Sequence, residues 1–398
     1  MITRSLLSLA LASAGVTALP AHAATFGSTE VSVGGYLKLD AIATQTSGGQ
    51  IAGGSATVSS NIGREFYVPS LTPTGNSDES PNVDMHARQT RLFARTVTAL
   101  DNGKQVKGYF EIDFMSTPVG DERITNGYSP ELRHASFTYE KFTFGQTWST
   151  YMDTAVLPDS LDFIGNTDGA VFVRQGQIRF TSGNFQWAIE NPQTTVTPNG
   201  GVTAVKPRLV TDDAGAPDLV ARYNRSAAWG SISAMVLARE LSYEDQSAAV
   251  QVNDSTLGYG VGLNAKVNLG GGDDLRLTVN HGDGLGRYVA LNATNDAVVT
   301  ASKDIEAIPL TAWAAAYKHN WTPKWRSSLI LSQLLVDNDT VATGLTAIRR
   351  SQSVSANLIK QVADKLSLGV EVRHANLELE SGADGDLNRL QFSARYDL

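Results

Sequence analysis

The chain has 398 residues, no cysteine, 32 basic against 40 acidic side chains and a net charge of −8. The missing cysteine excludes a disulfide scaffold and any thiolate metal site. The acidity argues against nucleic acid as a partner, because such a binder needs a net basic surface to displace counterions.

The first stretch, "MITRSLLSLALASAGVTALPAHA", carries one positive charge at Arg4, an apolar core from Leu6 to Leu19, and an A-x-A ending at Ala21-His22-Ala23. It reads as a signal peptide over residues 1–23, cleaved after Ala23, with residues 24–398 as a single domain. No later stretch offers the roughly 18 apolar residues of a membrane-crossing helix. Export without cysteine points to the bacterial periplasm or outer membrane.

From there the period is two. "VSVGGYLKLD" (31–40), "GYFEIDF" (108–114), "FQWAIE" (185–190), "LRLTVN" (275–280) and "KLSLGVEVR" (365–373) alternate apolar with polar residues. The longest, "TLGYGVGLNAKVN" (256–268), sets Leu257, Tyr259, Val261, Leu263, Ala265 and Val267 against glycines, Asn264 and Lys266. In the last, "RLQFSARYDL" (389–398), the apolar face ends on Tyr396 and Leu398. Strands near ten residues long, with apolar side chains outward and charge inward, are the pattern of a transmembrane barrel.

The connections count the strands independently. Short turns fall at 101–104, 139–142, 181–184, 224–230, 269–274, 319–324 and 361–365. They alternate with longer connections at 45–83, 116–130, 149–172, 191–217, 241–255, 283–309, 336–350 and 376–388. Eight long and seven short connections predict an all-β, sixteen-stranded antiparallel barrel with short periplasmic turns and long extracellular loops. Trp321, Trp325, Tyr317 and Trp229 lie beside turns, where an interfacial girdle belongs.

Parity places the charges. With each apolar face outward, Lys38, Arg91, Arg95, Lys107, Arg179, Arg276, Arg326, Arg373 and Arg395 point into the lumen, joined by Arg222 and Lys266. Glu111 and Asp113 point inward beside Arg91 and Arg95. A charged residue facing lipid near the midplane costs about 2–4 kcal/mol, which enforces this parity. In "HARQTRLFAR" (86–95) Arg88 has the opposite parity, which predicts an outer-rim position or a bulge. Arg91 and Arg95 are the candidates for solute contact.

The third long connection, 149–172, carries Val156, Leu157, Leu161, Phe163 and Ile164 beside Asp153, Asp159, Asp162 and Asp168. Apolar residues in a loop surrounded by water predict that it folds into the lumen and constricts it, with an acidic face toward Arg91 and Arg95. Catalytic sets are not apparent. "DFIGNTDG" (162–169) lacks the spacing of a calcium loop, and the dispersed histidines form no H-x-x-x-H pair. No cofactor or metal is expected. An outer-membrane barrel hydrolase stands as the alternative to a channel.

"GYLKLDAI", "GREFYVPS", "HARQTR", "KGYFEIDFM", "LRHASFTY", "FGQTWSTYMD", "LPDSLDFIGNTDGAVFVRQGQIRF" and "AIENPQTTV" resemble the DcaP-like outer-membrane porins of Gram-negative bacteria. The resemblance is dense over about residues 33–196 and looser beyond. It implies a trimeric porin of the general porin superfamily, seated in outer-membrane lipid, with the third loop constricting the pore. It also implies passage of small anionic solutes such as dicarboxylates. Some members carry an N-terminal helical extension; here Ala24 runs almost directly into the first strand, so a homotrimer is expected to rest on wall contacts.

Overall fold

A computed structural model describes residues 22–51, 62–75, 81–116, 126–247 and 251–398. The expected signal peptide lies outside the described residues except for His22 and Ala23. These begin a short strand, His22–Phe26, that folds back on the first wall strand.

The alternating segments form one continuous sheet. Its wall strands are β1 (Thr29–Thr46), β2 (in two pieces, Asn82–His86 and Arg91–Ala99), β3 (Gln105–Asp113) and β4 (Glu131–Tyr139). There follow β5 (Phe142–Trp148), β6 (Arg174–Ser182), β7 (Phe185–Glu190) and β8 (Asp218–Ala227). Next come β9 (Gly230–Asp245), β10 (Val252–Gly270), β11 (Asp273–Asp283) and β12 (Pro309–Thr322). The last four are β13 (Trp325–Val336), β14 (Ile348–Ala363), β15 (Leu366–Leu379) and β16 (Asp384–Asp397). Each pairs antiparallel with its neighbour, and β1 closes the ring on β16 from Tyr36↔Asp397 to Thr46↔Leu387. Closure leaves no unpaired sheet edge, as a wall in lipid requires.

Outward faces are apolar and exposed: Leu329 and Leu331 on β13, Val370 and Val372 on β15, Leu390 and Phe392 on β16. Trp229, Tyr317, Trp321 and Trp325 are exposed beside the short turns, as expected. The connections at 241–255 and 376–388 are shorter than expected, at 246–251 and 380–383. Alternation continues there in polar form, in "SYED" and "NLELE", so these strands run on past the bilayer band as hydrogen-bonded hairpins.

The wall is uneven in height. β5 and β7 have 7 and 6 residues, against 16 and 19 in β9 and β10. At about 3.3 Å per residue and a tilt of about 40°, the short pair climbs only about 15–18 Å, less than the roughly 25 Å apolar band.

Candidate functional site

The inward residues meet the third loop, 149–173, which lies inside the barrel and follows the wall strand by strand. Arg179 on β6 donates to Thr150 Oγ1 at 2.8 Å and to the carbonyl of Trp148, the last residue of β5, at 2.5 Å; Arg222 on β8 donates to the Met152 carbonyl at 2.5 Å and pairs with Asp153 at 2.9 Å. Arg276 on β11 donates to the Leu157 carbonyl, and Arg326 on β13 pairs with Asp159 at 2.5 Å. Glu371 on β15 accepts from Ser160 Oγ and from the Leu161 amide at 2.7 Å, while Lys38 on β1 donates to the Leu161 carbonyl at 2.6 Å. Most of the lumen cations read from parity therefore hold the loop. A guanidinium suits this work, since its fork reaches a carbonyl and a carboxylate together.

The loop then doubles back. Arg373 on β15 donates to the Gly165 carbonyl at 2.7 Å and lies 3.8 Å from Asp162. Asp162 accepts the Tyr67 amide at 2.9 Å and the Gly165 amide at 3.2 Å. Burial acts to raise the Asp162 carboxyl, but Arg373, Arg389 and these amides outweigh it and hold it below the usual carboxylate range.

Asp168, fully buried, accepts hydroxyls from Tyr67 at 2.8 Å, Ser332 at 2.8 Å, Ser353 at 2.6 Å and Ser351. Burial and the Asp168 charge push the Tyr67 hydroxyl well above its usual value, so it stays a donor. Gly169 passes so close to β12 that a Cβ there would lie 2.2 Å from the Trp313 carbonyl oxygen; only glycine fits.

This corrects one expectation. The loop carboxylates do not face Arg91 and Arg95 as an acidic rim. Asp153 and Asp159 are committed to wall arginines, and Asp162 and Asp168 are buried against the β13–β15 wall. A buried carboxylate needs donors, and the wall supplies them. What the loop turns toward Arg91 is a ring, Phe163, at 5.9 Å.

On the β2–β4 wall the charges are packed differently. Arg91 pairs with Asp113 at 3.2 Å and Glu111 at 3.6 Å. Arg133, absent from the parity reading, binds the same two carboxylates more closely, at 2.7 Å each. A register shift between Glu111 and Ile112 makes Arg133 and His134 both point inward, so alternation alone could not assign it.

Arg88 is also a correction in part. It lies in the break of β2, as a bulge would place it, but it is buried, ion-paired with Glu65 and bonded to the Phe114 carbonyl at 2.8 Å. Arg95 and Lys107 are exposed on the lumen face. Arg95 stacks on Phe93 at 4.6 Å and Tyr109 at 5.7 Å. Arg395 donates from Nε and Nη2 to one oxygen of Asp397 and covers the Tyr36 ring at 4.0 Å; Lys266 lies 3.8 Å from Asp274.

A closed sixteen-stranded barrel with a charged interior and an inward-folded loop defines a channel of the outer-membrane porin type. The chain belongs to the DcaP outer membrane protein family, whose sequence model matches residues 62–398. The crystal structure of the outer membrane channel DcaP of Acinetobacter baumannii superposes with a TM-score of 0.74 at 21% identity, over 94% of this chain and 99% of that one. An anion-selective porin from Comamonas acidovorans superposes with a TM-score of 0.53 at 9% identity, over 93% of this chain and 100% of that one. OmpF of Salmonella typhi, in complex with daunomycin, gives 0.54 at 10% identity, over 94% and 100%. At these identities the likeness shows the fold. No curated protein sequence matches the chain.

Proposed function

We propose that the chain forms a water-filled channel for passive diffusion of small hydrophilic solutes and prefers anions, dicarboxylates among them. The observation that carries this is the state of Arg95 and Lys107. Both are exposed on the lumen face, and no ion pair engages either among the described contacts. Arg91 contributes less, because Glu111 and Asp113 already balance it. A lumen cation 4 Å from a carboxylate gains about 4 kcal/mol at most at an effective dielectric of 20, before screening and hydration reduce it. Attraction of that size draws anions in without trapping them, as conduction requires.

Arg95→Ala combined with Lys107→Ala is expected to shift the zero-current potential in a salt gradient toward cation preference. The same potential as the parent would overturn the assignment of these two residues.

The low wall at β5–β7 favours a homotrimer. Strands too short for the band would leave loop backbone at bilayer depth, which is tolerated only under a protein cover. Light scattering of the detergent-solubilised protein is expected to report three chains. A single chain would overturn the trimer and leave the channel reading intact.

A further inference from the structure

The sixth long connection, 284–308, also enters the barrel. Leu285, Tyr288, Val289, Ala290, Ala297 and Val298 are each at most 2% exposed. They belong to apolar clusters that include inward-facing side chains of the wall: Val220 on β8, Leu237 on β9, Leu310 on β12 and Leu334 on β13. An aqueous lumen has no use for apolar residues on its inner face; here a loop covers them.

The loop is joined to the third loop by backbone. Val171 and Val289 form an antiparallel bridge, the Phe172 amide donates to the Tyr288 carbonyl at 3.2 Å, and the Ala290 amide donates to the Ala170 carbonyl at 3.0 Å.

One cation ties the arrangement together. Arg239 on β9 is fully buried. It donates to the Gly284 carbonyl at 2.9 Å and to Asp296 at 2.8 Å, both in the sixth loop. It also donates to the Gln193 carbonyl of the fourth loop at 2.5 Å, lies 3.4 Å from Asp218 on β8, and covers the Tyr288 ring at 5.2 Å. Asp296 in turn accepts the amides of Thr195 and Arg287, each at 2.8 Å. Tyr288 donates to Asp218 at 2.7 Å. Without Arg239, two buried carboxylates would face each other across this junction, with Arg287 the remaining ion-pair partner, 3.8 Å from Asp218.

We propose that the sixth loop is a second size-limiting element of the channel, with Arg239 as the residue that positions it. Solute size is then set by two loops joined at Val171 and Val289, and not by the third loop alone. The proposal rests on the channel reading. A parent protein with no conductance would defeat that reading before this one is tested.

Arg239→Met is expected to release the sixth loop and raise single-channel conductance by about twofold, since the loop covers inward faces of β8, β9, β12 and β13. Liposomes carrying the variant are expected to swell in neutral trisaccharides that the parent admits slowly. The cysteine-free chain allows a lock: in the Arg239→Met background, Val171→Cys with Val289→Cys places two thiols on an antiparallel bridge, within disulfide reach. Oxidation is expected to return conductance toward the parent value, and reduction to raise it again.

If Arg239→Met does not insert, replacing residues 286–306 by two glycines keeps the neck where the Gly284 amide donates to the Ile308 carbonyl at 3.0 Å. The same rise is expected. Parent-like conductance and swelling in either variant would overturn the proposal, as would a rise in Arg239→Met that oxidation of the cysteine pair leaves unchanged.

Discussion

Asp168→Leu is expected to detach the returning half of the third loop from the wall while leaving the barrel folded. The substitution keeps the side chain's bulk but removes the acceptor for four hydroxyls: Tyr67, Ser332, Ser351 and Ser353. The site is closed to water, and the hydroxyls then keep only each other, Tyr67 with Ser351 at 3.2 Å and Ser332 with Ser353 at 3.0 Å. One proton in each pair loses its acceptor, at about 1–2 kcal/mol each and about 2–4 kcal/mol together. Arg373 also loses a neighbouring negative charge. The wall's own ladder bonds are untouched, so the cost falls on the loop, which leaves once its docking is worth less than its ordering entropy.

Single-channel conductance is therefore expected to rise, with unchanged heat-modifiable migration of the barrel. Asp168→Asn, which keeps one carbonyl oxygen as acceptor, is expected to fall between. Parent-like conductance in Asp168→Leu would show that the serine and tyrosine hydroxyls find other acceptors and that the arginine contacts hold the loop without Asp168.

Sequence alone reveals the wall because a barrel in lipid must show one apolar face. Leu366, Leu368, Val370 and Val372 can face only outward once Arg373 is on the chain beside them. The same logic correctly turns Arg179, Arg222, Arg276, Arg326 and Arg373 inward. It is silent about what they meet there, since parity specifies direction and not partner. All five turn out to hold the third loop.

The sixth loop escapes for a related reason. In "LVARY" and "LILSQLLV" the inward positions Val220 and Leu334 are as apolar as their outward neighbours, so alternation fades where a loop covers the lumen face. That fading is itself a signal: consecutive apolar residues near the extracellular end of a porin strand mark an inner face that does not meet water. Arg239 is hidden by the same effect, sitting among Met235, Leu237 and Leu241 on one face. Arg133 is hidden by the register shift, which no count of two can anticipate.

Arg133→Met carries the other large expectation, a loss of stability in the β2–β4 wall together with a change of selectivity. Arg133 is 1% exposed in its side chain and neutralises Glu111 and Asp113 at 2.7 Å each. Its removal leaves two buried carboxylates with Arg91 alone, at 3.6 and 3.2 Å and partly open to the lumen. Breaking a buried pair from one side costs about 3–5 kcal/mol, because the remaining charge keeps its desolvation penalty without its partner.

Arg133→Lys is expected to recover little, since one ammonium replaces a fork that reaches two carboxylates at once. Adding Glu111→Gln to Arg133→Met removes one of the unpaired charges and is expected to restore much of the loss. The readouts separate the two effects. The temperature at which the folded band is lost reports stability, and the zero-current potential reports the uncompensated negative charge by moving toward cation preference. A parent-like transition temperature in Arg133→Met would mean that Arg91 balances both carboxylates unaided. The two guanidiniums would then be redundant, and the bulge that turns Arg133 inward would serve packing against Trp148 and Phe163, whose rings lie 5.6 and 5.3 Å from it.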